Sequence, residues 1–351
     1  MSTSTALQDG PISVEALVNS GLRNLWYPVA PSWMVREAPV GVTRLGERIV
    51  LWRDQNGDVH AVEDRCPHRG ARLSQGWNFG DRLQCWYHGV QIGTDGTVLE
   101  VPALPDCAMK GRKMNRSYAV KEIRGGIFLY FGDAAHPEPC DLELPEELTD
   151  EDKHGAILCT ATWNTNYRYA IENVMDPMHG AYLHRESHSM SEGAESAKFT
   201  ARNTDQGYVF EKEGQTGVNF DWVEFGQTGA DWFRLTIPYP PKSGPGGHFG
   251  IIGFATPVDE THTQVFFWRT REVSGWLRDM WHFLYRMRFE KRHWDVLEQD
   301  RVVLEAMSDD AREHENLYQH DGGVTRLRQI LHRAAEAQVK ELAEAHAQAA
   351  E

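Results

Sequence analysis

The chain has 351 residues, 41% of them hydrophobic and 25% charged, an ordinary soluble composition that excludes a disordered or fibrous chain. Lys and Arg number 36 against 51 Asp and Glu, so the formal net charge is −15. A surface this acidic argues against nucleic acid or an anionic membrane as the main partner. No apolar run approaches the ~18 residues that span a bilayer. The N-terminus lacks the basic and apolar regions of a secretory signal. The five scattered cysteines fit a reducing cytoplasm better than a disulfide framework.

In chain order, residues 1–23 read as an N-terminal arm or short helix. Residues 24–135 read as a small antiparallel β-domain. VTRLGERIVLWRD and VHAVEDR alternate and are joined by Gln55-Asn56-Gly57-Asp58, where Asn-Gly predicts a type I′ hairpin turn. Thr94-Asp95-Gly96-Thr97 is a second turn signal, and GGIFLYFG reads as a buried strand. Residues 136–155, rich in Pro and acid, suit an exposed linker. Residues 156–351 read as a larger α+β domain, an antiparallel sheet of aromatic strands flanked by helices and closed by a C-terminal helix. Within it, NTNYRYAIENVMDPMHGAYLH predicts a helix running into a break.

The first chemical signal is Cys66-Pro67-His68 followed by Cys85-Trp86-Tyr87-His88. Each half offers one thiolate and one imidazole on a loop of the β-domain. Two Cys can ligate one iron of a [2Fe–2S] group and two His the other. Zinc sites usually pair Cys with Cys and His with His at short spacing, which these mixed pairs do not do. Gly70 and Gly89 follow the two histidines closely and would let backbone approach the group.

The second signal is Asn173-x-x-Asp176-x-x-His179-x4-His184. Positions 173, 176 and 179 share a helical face. His179 and His184 lie roughly 140° out of line on an ideal helix of 3.6 residues per turn. Both reach one metal only if the helix ends or bends, for which Pro177 and Gly180 offer a cause. Two imidazoles and one carboxylate make the facial triad of non-haem Fe(II) oxygenases.

C-P-H-R-G-A, then C-W-Y-H-G, then D-x-x-H-x4-H, with NLWYPVAPSW ahead of them, resemble the Rieske non-haem iron oxygenases, and in particular their terminal oxygenase (alpha) component. The resemblance runs from about residue 24 to 318. It implies that 24–135 is a Rieske domain in which Cys66, His68, Cys85 and His88 ligate a [2Fe–2S] cluster. It implies a catalytic domain in which His179 and His184 hold a mononuclear Fe(II). The third ligand is expected from the late stretch Trp294–Arg301, with Asp300 chosen over its rivals Asp295 and Glu298. His188 is read as a loop histidine. The family's head-to-tail trimer implies that Asp176 bridges His88 of one subunit to His179 of the next, with Asn173 near the iron.

The activity so implied is O₂-dependent mono- or dihydroxylation of an aromatic compound, an aromatic acid being the expected class. Oxidative O- or N-demethylation is the alternative, and a non-catalytic Rieske electron carrier stands further off. No G-x-G-x-x-G follows a strand, so the electrons are expected from a separate ferredoxin or flavin reductase. Arg65, Arg69, Arg72, Lys110, Arg112, Lys113, Arg116, Lys121 and Arg124 form a basic region where an acidic donor would dock. Trp222, Phe225, Trp232, Phe233, Tyr239, Phe254, Phe266 and Trp268 are the candidate pocket aromatics.

Overall fold

The structure is a computed structural model that describes residues 12–187, 196–214, 221–238, 247–308 and 310–350. His188 and Tyr239 lie outside the described residues.

A short helix, α1 (Val14–Ser20), begins where the Ser13 hydroxyl accepts the Ala16 N–H at 3.1 Å. Ten short strands follow: β1 (Trp26–Pro31), β2 (Val40–Arg44), β3 (Glu47–Arg53), β4 (Val59–Glu63), β5 (Trp77–Asn78), β6 (Arg82–Gln84), β7 (Gln91–Gly93), β8 (Val98–Glu100), β9 (Val120–Ile123) and β10 (Gly126–Tyr130). They pair antiparallel into three small sheets, ordered β1-β10-β9, β2-β3-β4 and β5-β6-β7-β8. All five residues of β10 are buried, as the apolar run GIFLY predicts.

The β3–β4 hairpin is present, but its turn is not type I′. Of the two central residues only Gly57 has positive φ, at 90°. Asp54 organises a wider loop instead: its Oδ1 accepts the N–H groups of Asn56 and Asp58 at 2.8 and 3.0 Å. An Asx-type side-chain contact thus overrode the dipeptide preference.

After α2 (Glu146–Thr149) the second half builds one large sheet. It begins with β11 (His154–Trp163), then α3 (Tyr167–Val174) and α4 (His179–Tyr182). The remaining strands are β12 (Phe199–Asn203), β13 (Gly207–Lys212), β14 (Trp222–Gln227), β15 (Asp231–Pro238), β16 (His248–Pro257) and β17 (Thr263–Glu272). Among the described residues the sheet has seven antiparallel strands, ordered β11-β17-β16-β15-β14-β13-β12. α5 (Trp276–Leu284) passes through a π-helical turn, Tyr285–Phe289, into α6 (Glu290–Glu305). α7 (Ala311–His314) and the long α8 (Gly322–Ala350) complete the chain. No helix of the described residues is long and apolar enough to cross a membrane.

Alternation along the strands assigns the two faces of this sheet different neighbours. Ile252, Phe254, Phe266 and Trp268 face the first β-domain and pack with Trp26, Phe128 and Tyr130. Val265 and Phe267 face the other way, onto Leu297 and Leu304 of α6. Both faces are therefore buried, and the central runs Phe249–Ala255 of β16 and Val265–Trp268 of β17 are apolar rather than alternating. α8 folds back to the start of the chain, where Gln338 exchanges two hydrogen bonds with the Arg23 backbone at 2.8 and 2.7 Å. Leu17 and Val18 of α1 share a buried cluster with Leu327 and Leu331 of α8.

Candidate metal centres and the adjoining cavity

Cys66 and Cys85 sit at the start of two loops with the same backbone. Cys66 N–H donates to the Ala71 carbonyl at 2.7 Å, and Gly70 N–H donates to the Cys66 carbonyl at 2.8 Å. In the second loop Cys85 N–H donates to Val90 at 2.8 Å, and Gly89 N–H donates to Cys85 at 3.0 Å. Gly70 and Gly89 lie at φ of 75° and 74°, a left-handed conformation that L side chains rarely adopt. The two loops bring the rings of His68 and His88 to a centroid distance of 4.6 Å. They also bring the two thiols into contact. Burial pushes the Cys66 thiol up to about 11, opposed by the His68 backbone N–H and reinforced by the neighbouring Cys85 thiol. Both cysteines are buried while both histidines are exposed, so the loops present a sulfur side inward and an imidazole side outward.

The shape of this donor set separates one metal from two. A tetrahedral mononuclear site needs all its ligand atoms about 3–4 Å apart. Among the described residues, the one group of His, Cys, Asp or Glu whose ligand atoms all fall within 4.8 Å of one another is His179, His184 and Asp300. The four loop ligands do not close around a single ion, whereas a thiol pair and an imidazole pair set apart suit a [2Fe–2S] group.

The second centre is assembled from three elements. α3 is capped by Asn166, whose side chain accepts the Arg168 N–H at 3.0 Å. The chain breaks at 175–178, as Asp-Pro predicts, and the Asp176 carboxylate accepts the Met178 N–H at 2.9 Å. His179 opens α4, which ends at Tyr182, and the His184 ring reaches 5.1 Å from that of His179. Asp300 enters from α6, as chosen from the sequence. Its Oδ1 lies 3.5 Å from His179 Nε2 and 3.2 Å from His184 Nε2. That Oδ1 is buried and has no hydrogen-bond partner, an acceptor that a cation would satisfy. His184 Nδ1–H donates to Gln299 Oε1 at 2.8 Å, and His179 Nδ1–H donates to the Asp176 backbone carbonyl. Each ring thereby keeps its Nε2 lone pair aimed at Asp300, the tautomer a metal requires. Burial lowers the His184 pKa, but the nearby Asp300 carboxylate outweighs it and the net shift is upward. The rivals point elsewhere: Asp295 pairs with Lys291 at 2.9 Å, and Glu298 pairs with Arg301.

A cavity of about 570 Å³ opens beside this triad and includes Asn173 in its wall. Its apolar lining comes from Trp163, Leu235, Ile237, Phe249, Ile251 and Phe267. None of the described pocket aromatics expected from the sequence is among them. Trp232, Phe254, Phe266 and Trp268 face the first domain, and Phe225 and Phe233 are sheet core. Trp222 lies under the Arg234 guanidinium, 5.8 Å away. The expectation picked the wrong strand face, since composition cannot separate two apolar faces of one strand. Gln299 was also missed, although it adjoins Asp300, and so was Arg269, a cation within the apolar run of β17.

The basic region divides likewise. Arg116 binds Glu47 and the Gly132 carbonyl and stacks on Tyr118, and Arg124 binds the Asp150 and His154 carbonyls. Lys110 pairs with Glu100 at 2.8 Å. These three side chains are engaged within the chain, while Arg112 and Lys113 are exposed. Arg65, Arg69 and Arg72 are exposed beside the cluster loops, with Arg69 5.5 Å over the exposed Tyr87 ring.

Residues 25–118 match the family model of the Rieske [2Fe-2S] domain, and residues 163–337 match the vanillate O-demethylase oxygenase C-terminal domain. The chain is 34% identical over 222 residues to the protein TIC 55, chloroplastic, of Arabidopsis thaliana, covering 61% of this chain and 39% of that one. It is 35% identical over 166 residues to the vanillate O-demethylase oxygenase subunit of a Pseudomonas species, covering 47% of this chain and 46% of that one. In both cases the match spans less than half the length of the curated relative. The solved terminal oxygenase of carbazole 1,9a-dioxygenase from Nocardioides aromaticivorans superposes with a TM-score of 0.77 at 23% identity, covering 91% of this chain and 96% of that one, a likeness of fold. With both domains matched in this order on that architecture, the chain belongs to the Rieske non-haem iron oxygenases.

Proposed function

We propose that the protein is a cytoplasmic terminal oxygenase that takes electrons from a separate ferredoxin or flavin reductase and uses O₂ to hydroxylate an aromatic compound. The observation that carries this reading is the meeting of His179 Nε2, His184 Nε2 and the partnerless Asp300 Oδ1 at the wall of an apolar cavity. When bound, a Rieske cluster would supply single electrons, and a mononuclear Fe(II) would supply the oxygen-activating chemistry. Cys66 and Cys85 would hold the buried iron of the cluster, and His68 and His88 the exposed one. His179, His184 and Asp300 would hold the mononuclear iron on one side, leaving the cavity side open. Gln299 and the Asp176 carbonyl hold the two imidazole protons away from the metal position. Residues 24–135 would form the Rieske domain, 136–155 the linker and 156–351 the catalytic domain. In a homotrimer, Asp176 would accept from His88 of a neighbouring subunit and link it to His179.

The test counts metal and oxygen together. Three irons per chain and substrate-dependent O₂ uptake, with NADH and a surrogate reductase on an aromatic-acid panel, are expected. Two irons and no uptake would leave an electron carrier.

A second reading is oxidative O-demethylation, favoured by the match of residues 163–337 to the vanillate O-demethylase oxygenase C-terminal domain. Both readings use the same residues. Release of formaldehyde in step with O₂ uptake from methoxybenzoates would decide for it.

A further inference from the structure

The cavity wall contains a cation that neither metal centre uses. Arg269, midway along β17, is 2% exposed and lines the cavity. Its Nε is buried without a hydrogen-bond partner. Among the described residues it forms no ion pair. Its polar contact is the Tyr285 hydroxyl, which burial keeps protonated by pushing its pKa far above the ordinary value. The guanidinium lies 5.5 Å from the Phe267 ring centroid and 5.9 Å from that of Phe249, within cation–π range of both. Two π-faces and a phenol soften the burial of this charge but do not neutralise it. Arg292 also lines the cavity, but it is exposed.

We propose that Arg269 is the specificity-determining anchor of this cavity and takes the carboxylate of an aromatic acid. The inference rests on the oxygenase reading of the same cavity. A planar carboxylate matches the guanidinium fork, and the rings of Phe249 and Phe267 beside it suit the aromatic body. The anion would supply the counter-charge that the described residues do not. A neutral aromatic of the same shape would leave the cation unpaired and so be selected against.

Equilibrium titration of the iron-loaded protein tests this without turnover. The probes are benzoate, phenylacetate and 4-methoxybenzoate, each against its amide. The acids are expected to bind at least about tenfold tighter than the amides. Arg269→Gln should abolish that preference by weakening the acids about 100-fold while leaving the amides within about threefold. Arg269→Lys, which keeps the charge but loses the fork, should restore part of it. An unchanged Rieske absorption spectrum and iron content report that the variants are folded. Equal affinity for acids and amides, binding of neither, or a preference that survives Arg269→Gln would each overturn the proposal. O₂ uptake on the same preparations separates the two ideas. Charge preference without uptake upholds the anchor and fails the oxygenase reading, and uptake without charge preference fails the anchor alone.

Discussion

The two candidate iron sites draw on very different lengths of chain. The cluster loops are two copies of one device: a buried cysteine, an exposed histidine and a left-handed glycine closing the same pair of backbone hydrogen bonds. Each loop is shaped by its own few residues, and three short antiparallel sheets need only bring the two tips together. The mononuclear site instead joins residues 176–184 to a helix whose Gln299 lies 115 residues beyond His184. Its ligands acquire a common focus only when α6 packs across the large sheet. Local redundancy makes the first site robust in design and the second dependent on packing. The two should therefore fail independently and in different ways.

The largest effect should come from the ligands themselves. Asp300→Ala or His184→Ala should remove one iron per chain and all oxygenation while leaving the Rieske absorption and EPR signals in place. Cys66→Ser should do the converse. Loss of both centres from either single change would show that the sites are not separable. Next in size, Asp176→Asn should keep both metals yet slow cluster-to-iron electron transfer by orders of magnitude, read by single-turnover mixing of the reduced protein with O₂. Its carboxylate also caps the Met178 N–H. A protein destabilised by about 0.5–2 kcal/mol, with normal cluster oxidation, would mean that this cap is its whole role.

Gln299→Leu tests the outer support of the packing-dependent site. Without an acceptor for Nδ1–H, the His184 ring can rotate or change tautomer. Affinity for the mononuclear iron should fall about 10–100-fold in a chelator competition, with the cluster untouched. Gly70→Ala tests the local device. Its Cβ would meet nothing closer than Arg65 Nε at 3.7 Å, so the cost is the left-handed backbone, about 1–2 kcal/mol. Denaturant melts followed through the cluster absorption should show that loss, and no change in mononuclear iron. Smallest of all, Asp295→Ala breaks an exposed pair with Lys291 and should shift stability by no more than about 0.5 kcal/mol. Loss of iron from Asp295→Ala, with retention in Asp300→Ala, would sink the ligand assignment.

Much of this chain is legible in the sequence itself. Mixed Cys/His pairs at short spacing are chemically specific, because few functions ask for a thiolate and an imidazole together on each of two loops. The break in Asn173–His184 was readable from Pro177, since a proline forces the preceding residue out of the helix. The hairpin at Asn56-Gly57 was readable as a hairpin but not in its turn type, which the Asp54 carboxylate decided from outside the dipeptide.

What only the tertiary structure decided is where the faces and ends of elements point. Phe266, Phe267, Trp268 and Arg269 are consecutive in β17 and look alike as an aromatic run. Yet Phe266 and Trp268 go to the interdomain core, while Phe267 and Arg269 go to the cavity. A strand buried on both faces carries no polar alternation to mark which face holds the pocket, so parity is set by what packs above and below it. The same holds for the acids of α6. Asp295, Glu298 and Asp300 differ little by composition, and the rotation of one helix against the sheet leaves two solvated and turns the third, with no partner of its own, toward two imidazoles.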